Sequence, residues 1–406
     1  MRGVTIMKKL TAICVGLLAT MLAFSSGFQV NEHNAQGAAM GNAYVASVDN
    51  ASAMFYNPGA LAFVQGIDVN FSSVVFYPTS SWTSLDGTQT TDQKTKINVL
   101  PAVYLSYQLN DRVVVGISEF TQYGLETDWP TQWPGSQIAD RTKIKTFNVA
   151  PTIAFKVTDN FSVGFQANWV GADVLIQKTI NFIDQTAWVD MAGDGSGWGE
   201  SAGFLWKVNR KINVGGFWRS GVDISFDGEV DFTNVPTPFL PVLYDGKISA
   251  GVKLPQTWGL DVAYQLNDKW LVEVGFMNTE WSSYDRLTVF RKDTGGVLSS
   301  IPKNWTNVTM YKVGVKYDFS DKLTLRGGYI YDEAGNPDNT LDPSLPDNNR
   351  NDFSAGFDWK FKNFTLSTFA MYVRFNDRTT TTMMENFNGS YSTSALLVGA
   401  SLDYRF

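Results

Sequence analysis

The chain closes on Leu396-Leu397-Val398-Gly399-Ala400-Ser401-Leu402-Asp403-Tyr404-Arg405-Phe406. Leu396, Val398, Ala400, Leu402, Tyr404 and Phe406 are apolar, while Gly399, Ser401, Asp403 and Arg405 fall between them. Side chains alternate across a β-strand, so this segment has one greasy face and one polar face. A strand between lipid and a polar lumen has that pattern. A soluble sandwich strand alternates too, so the other end of the chain has to decide between them.

That end reads as an export signal, residues 1–25. Arg2, Lys8 and Lys9 supply positive charge, Leu10–Phe24 is apolar, and Ala23-Phe24-Ser25 offers small residues for cleavage. The apolar run of about 15 residues falls short of the roughly 20 that a membrane helix needs. An exported chain whose last strand alternates and ends on Phe belongs in an outer membrane. Leu402, Tyr404 and Phe406 also resemble the C-terminal signal read by the barrel-assembly machinery.

Composition agrees. The one cysteine, Cys14, falls in the signal, so the mature chain offers no disulfide, thiolate metal site or cysteine nucleophile. Removing the three signal cations takes the formal charge from −7 to −10, which argues against nucleic acid as a partner. Aromatic content of 14% without long apolar runs suits a barrel with aromatic girdles.

Six turn phrases count the strands: Tyr107–Arg112, Lys156–Asn160, Lys207–Lys211, Gln265–Lys269, Asp318–Lys322 and Lys360–Asn363. Each carries Asn, Asp or Ser at the reversal. They lie roughly 40–60 residues apart, room for two spanning strands and a long loop. Propeller blades are excluded because the intervals are unequal and no blade motif recurs. Six turns bound twelve strands; one before, starting near Gly66, and one after make fourteen. The fold class is therefore all-β transmembrane, a 14-stranded antiparallel outer-membrane β-barrel spanning 64–406. Long outer loops are expected at about 80–93, 127–140, 175–193, 227–250, 284–302, 334–349 and 378–390. Glu273 and Arg326 should point into the lumen, since charge is costly against lipid.

Residues 26–63 do not alternate. Small residues and short helical pieces suggest a hatch, a small plug inside the lumen; a disordered periplasmic tail is the alternative. Phe55, Tyr56, Leu61 and Phe63 favour the hatch, because a solvated tail rarely exposes such side chains. Two outer loops are unusually apolar. One holds Ile180, Phe182, Ile183 and Trp188, with Val189 and Met191; the other holds Pro238, Phe239, Leu240 and Leu243. They could form a capture groove or simply pack on the rim. His33 is the sole histidine and lies in the hatch, without a serine motif to serve. Asp and Glu form no metal-ligand cluster in the sequence. Enzyme activity, a cofactor and a metal are therefore not expected.

Gly27-Phe28-Gln29-Val30-Asn31-Glu32, the Asn57-Pro58-Gly59-Ala60-Leu61 segment and the terminal Phe together resemble the FadL family of outer-membrane transporters for long-chain fatty acids and hydrocarbons. Similarity continues at Tyr123–Thr127, Leu254–Trp258, Leu325–Asp332 and Leu345–Arg350. The resemblance implies a hatch-closed barrel with a capture groove between the third and fourth outer loops and an apolar pocket inside. It also implies sideways exit at an inward kink of the third strand, beside the Asn-Pro motif. Carried over, hatch residues are Phe28, Asn57, Pro58, Gly59 and Ala60, and the kink falls at Thr121, Gln122, Tyr123 and Gly124. A carboxylate would favour a cation near the pocket; Lys178, Arg219 and Arg326 are candidates. Partners are then a hydrophobic small molecule, outer-membrane lipid and lipopolysaccharide, and the barrel-assembly machinery, with the protein a monomer. A general diffusion porin and a surface adhesin or receptor remain the rival readings.

Overall fold

Side-chain chemistry at the short turns makes the strand count. Asn110 Oδ1 accepts the N–H groups of Arg112 and Val113. Asn209 does the same for Lys211 and Ile212, and Asn267 for Lys269 and Trp270. The Ser320 hydroxyl serves Lys322 and Leu323. Each side chain stands in for a backbone turn and reverses the strand in a few residues.

The computed structural model describes residues 27–406; the expected export signal lies outside them. Fourteen strands follow in order: β1 (Ile67–Ser84), β2 (Asn98–Asn110), β3 (Val113–Phe120 and Gly124–Asp128), β4 (Arg141–Thr158), β5 (Phe161–Asn181), β6 (Thr186–Lys207), β7 (Ile212–Arg219 and Val222–Thr233), β8 (Gly246–Leu254 and Thr257–Gln265), β9 (Trp270–Thr279 and Arg286–Arg291), β10 (Val297–Pro302 and Val308–Asp318), β11 (Leu323–Asp332), β12 (Arg350–Phe361), β13 (Phe364–Phe375) and β14 (Gly389–Arg405). Each pairs antiparallel with its chain neighbours, and β1 pairs with β14 from Asp68↔Arg405 to Ser84↔Gly389, closing the barrel. Closure pairs the first strand with the last, as hydrocarbon demands of a sheet.

Alternation sorts the side chains as expected. On β2, Val103, Leu105, Tyr107 and Leu109 are exposed, whereas Ala102, Tyr104 and Ser106 are buried. Glu273 and Arg326 point into the lumen: Glu273 accepts Ala46 N–H at 2.8 Å and Arg326 pairs with Asp358 at 2.8 Å.

Three outer segments differ from expectation. Residues 175–193 are a paired hairpin, with Asn181 opposite Thr186 and only 182–185 at its tip. Strand likewise extends into 227–250 and 284–302. Gly193, at the edge of the expected loop, and Gly195 and Gly197 beyond it each face a β7 backbone carbonyl too close for a Cβ, so here glycine serves strand contact. Above the membrane no lipid constrains the outward face, and the alternation that marks a strand weakens.

Residues 27–66 lie inside the barrel. Asn34 caps α1 (Ala35–Ala39) by accepting Gln36 N–H at 2.9 Å. α2 (Ala53–Tyr56) leads to a 3₁₀ turn, Pro58–Phe63, capped by Asn57 through Gly59 N–H at 3.0 Å. Pro at the first helical position loses no hydrogen bond. The wall holds this hatch by many polar contacts: Ala51 N–H to Asp68 (3.1 Å), Lys312 Nζ to Asn42 O (3.0 Å) and Arg219 to the Phe55 carbonyl.

Candidate ligand path

Above the hatch the inward faces turn apolar. Leu125 of β3, Ile144 of β4, Val174 and Ile176 of β5, Phe226 of β7 and Ile248 of β8 line a cavity of about 400 Å³. Strand alternation aims these side chains inward, where the lower lumen carries polar ones. A second pocket of about 390 Å³ lies above, between Ile138, Ile180, Val189, Phe232, Leu243 and Leu298. The two share Lys178, Met191, Ile138 and Glu385, so they adjoin.

Phe28 forms the floor of the lower cavity. Its ring packs among Trp281 (4.7 Å between centroids), Tyr284 (5.7 Å), Tyr123 (5.9 Å) and Trp305 (6.2 Å). Such offset and edge-on contacts hold an aromatic ring firmly.

Cations at the cavity differ in their partners. Lys303 is paired with Asp342 at 2.6 Å. Burial alone would raise the Asp342 carboxyl, but the Lys303 ammonium and hydrogen bonds from Ser344 hold it below the usual carboxylate range. Lys143 is on the outward-alternating side of β4, cross-strand from Glu126. Lys178 lies where the two pockets meet and makes no ion pair among the described residues. The other two candidates are engaged elsewhere. Arg219 holds the Phe55 carbonyl and stacks over Phe55 (4.4 Å), and Arg326 is tied to Asp358, both in the hatch-filled lumen. They anchor the hatch, and neither lines the apolar cavity.

Below the cavity the wall itself changes. β3 breaks at Thr121–Tyr123: Phe120 faces Asn148 and Gly124 faces Lys145, so three residues oppose two. The extra residue bends β3 inward, as a bulge does. Thr146 accepts Tyr123 N–H at 3.0 Å on the β4 side. On the inner side the hatch takes over as partner: Val30 N–H donates to Gln122 O and Gly124 N–H to Phe28 O, both at 2.8 Å. Pairing of β2 with β3 ends at Val103↔Glu119. Among the described residues, Asn98–Ala102 keeps its ladder to β1 but forms none with β3 beyond that point. The gap is bridged at its top, where Lys94 and Lys96 meet Asp128 at 2.8 and 3.1 Å.

The Asn-Pro segment is not beside this kink, contrary to expectation. Asn57 Nδ2 donates to Phe204 O at 2.8 Å, and Pro58 and Gly59 press on Gly164 of β5 and Gly203 of β6. Ala60 is buried in the same packed region. The kink touches Phe28–Val30, because an extended segment can offer backbone groups to a bent strand and a helical turn cannot. Of the expected groove residues, Phe182 and Phe239 meet at 4.7 Å, and Ile180 and Leu243 line the upper pocket. Ile183, Pro238 and Leu240 are exposed, and Trp188 faces a separate cleft with Lys94 and Asp190. Sequence reasoning missed Leu125, Ile144, Val174 and Ile176. Their signal was apolar character on the lumen face. At the terminus, Tyr404 packs against Phe364 and Phe406, each at 4.3 Å, while Phe406 stays exposed. His33 is buried on Phe55 with its Nε2 3.2 Å from Val30 O. Burial pushes it down to about 3, so it is a neutral packing residue.

Residues 16–406 match the family described as outer membrane protein transport protein (OMPP1/FadL/TodX). The chain belongs to this family. It is 26% identical to a 47 kDa outer membrane protein of Pasteurella multocida, over 98% of this chain and all of that one. It is 24% identical to the long-chain fatty acid transport protein of Escherichia coli K12, over 87% of this chain and 88% of the other. Among solved structures, a Pseudomonas aeruginosa FadL homologue superposes with a TM-score of 0.85 at 22% identity, covering 94% and 100%. The Pseudomonas putida toluene transporter TodX gives 0.74 at 17%, covering 93% and 99%. The family's members are outer-membrane transport proteins, and the protein is an outer-membrane β-barrel of that kind.

Proposed function

We propose that the protein takes up hydrophobic compounds passively, and that long-chain monocarboxylates are its preferred cargo. Relatives named for transport of long-chain fatty acids and of toluene bracket the chemistry. Lys178 favours the acid: an ammonium with no ion pair among the described residues, set between two apolar pockets, is placed to hold a carboxylate while the tail lies among Ile144, Ile176 and Phe226. Capture would begin at the Phe182–Phe239 contact and the upper pocket.

The observation that carries the reading is the run of apolar cavity down to Phe28 and Leu125, at the level where the β2–β3 ladder stops. Exit would follow movement of Phe28 and pass sideways through that gap into lipid. Each CH₂ gains roughly 0.8 kcal/mol in apolar surroundings, so release into the bilayer is downhill relative to release into water. Against a diffusion porin stands the hatch, whose residues from Phe28 to Ala46 are buried. The apolar cavity is a feature an adhesin does not need.

Deleting Gln122 restores a one-to-one register between β3 and β4 and should close the gap. Uptake of labelled oleate and toluene is then expected to fall to the level of cells lacking the protein. Unchanged uptake of both would sink lateral exit.

A further inference from the structure

The outer surface at the gap carries an oddly placed pair of charges. Phe71, Val103, Glu119, Val149, Trp169 and Trp198 form one continuous cross-strand row from β1 to β6. All of them alternate outward: Ser118 and Phe120, on either side of Glu119, are buried, while Ile117, Val103, Phe71 and Trp198 are exposed. The other five members are apolar or aromatic, as a lipid-facing wall requires. Glu119 is the exception. It is also the last β3 residue to pair with β2, so it stands at the lower lip of the gap.

Lys145 lies on β4 beside the kink, one strand away from the β2–β3 gap. It pairs with Gly124, where β3 resumes, and alternates outward because Ile144 and Thr146 are buried and inward. It lies four residues from Val149 toward the extracellular end of β4. Asp173 is its cross-strand neighbour on β5. Among the described residues neither Glu119 nor Lys145 belongs to an ion pair, although each is partly buried. Charge facing lipid carries a penalty, and an ordinary barrel wall places apolar residues there.

We propose that Lys145 and Glu119 form an exit site on the lipid face for the headgroup of an anionic, single-tailed amphiphile. The inference rests on the lateral exit proposed above. Lys145 draws the carboxylate of the departing molecule into the headgroup layer. Glu119 repels it from the hydrocarbon below, so the molecule enters the outer leaflet with its tail down. A neutral hydrocarbon is indifferent to both.

The test compares labelled oleate with labelled hexadecane in cells whose only transporter of this kind is wild type, K145E, K145Q, K145E/E119Q or the Gln122 deletion. K145E should slow oleate uptake about tenfold, the scale on which like charges oppose a close approach. Hexadecane uptake should stay within about twofold and so also reports a folded barrel. K145Q should act in the same direction more weakly, and E119Q added to K145E should recover about threefold. Oleate binding to the detergent-solubilised protein should be unchanged, since Lys178 is intact. Equal slowing of both ligands, slowing of neither, or no relief by E119Q overturns the exit site. Normal uptake of both ligands by the deletion chain would instead overturn lateral exit itself.

Discussion

The lower and upper halves of this barrel are built from the same strands and alternate alike, yet enclose different interiors. Below, the inward residues are Asn70, Asp261, Glu273, Lys312 and Arg326, which hydrogen-bond to the hatch; Lys312 and Arg326 also pair with the wall carboxylates Asp261 and Asp358. Above, the inward residues are Ile144, Val174, Phe226 and Ile248, and they surround a cavity. A strand's alternation says which residues face inward; only their chemistry says whether the inside is filled or left to receive something. Polar inward groups need partners, and the hatch supplies them. Apolar inward groups need only exclusion of water, which a greasy ligand also provides.

Breaking the buried ion pairs of the wall should have the largest effect. Arg350→Ala removes the cation paired with the buried carboxylates Asp332 and Asp352, at 2.8 and 3.4 Å. A loss of about 3–5 kcal/mol is expected in urea unfolding of the reconstituted protein. Gly164→Val places a side chain where the Pro58 carbonyl rests on β5. Overpacking of about 1–3 kcal/mol should dislodge the hatch and give ion conductance in planar bilayers, where the hatch-closed wild type should show little. If conductance stays low, the Gly164 contact is not what seats the hatch.

The upper half should respond by selectivity. Lys178→Gln is expected to weaken oleate binding about tenfold and to leave toluene binding unaltered. Loss of both together would make Lys178 a packing residue.

The smallest effect joins the halves. Asp347, in the loop between β11 and β12, accepts Gly27 N–H at 3.0 Å. Burial pushes its carboxyl up to about 7. An acid with a raised folded pKa stabilises the fold fully below its unfolded value, near 4, and that contribution is lost as pH rises through 7. Protease cleavage near Gly27 should therefore increase between pH 4 and 8 in the wild type and stay flat in Asp347→Asn.

Much of this was legible in the residues. Asn110, Asn209 and Asn267 gave the turns because a short acceptor side chain reverses a strand by itself. Leu396 and Leu402 gave the lipid face because hydrocarbon tolerates little else. The hairpin around Ile180 was hidden, since above the membrane nothing enforces alternation. Lys178, Arg219 and Arg326 looked interchangeable because a cation's partner is a neighbour in space. Phe28–Val30 and Asn57-Pro58 could not be assigned to their walls either, as both contacts depend on backbone groups far apart in the chain.

By itself, then, the sequence determined a 14-stranded outer-membrane barrel, because local alternation and local turn chemistry are enough to count strands and orient their faces. Tertiary structure alone decided that Lys178 makes no ion pair among the described residues and lies above the hatch. It also decided that β3 exchanges β2 for the hatch after Glu119, because a backbone hydrogen bond carries no side-chain signature of the partner it will find.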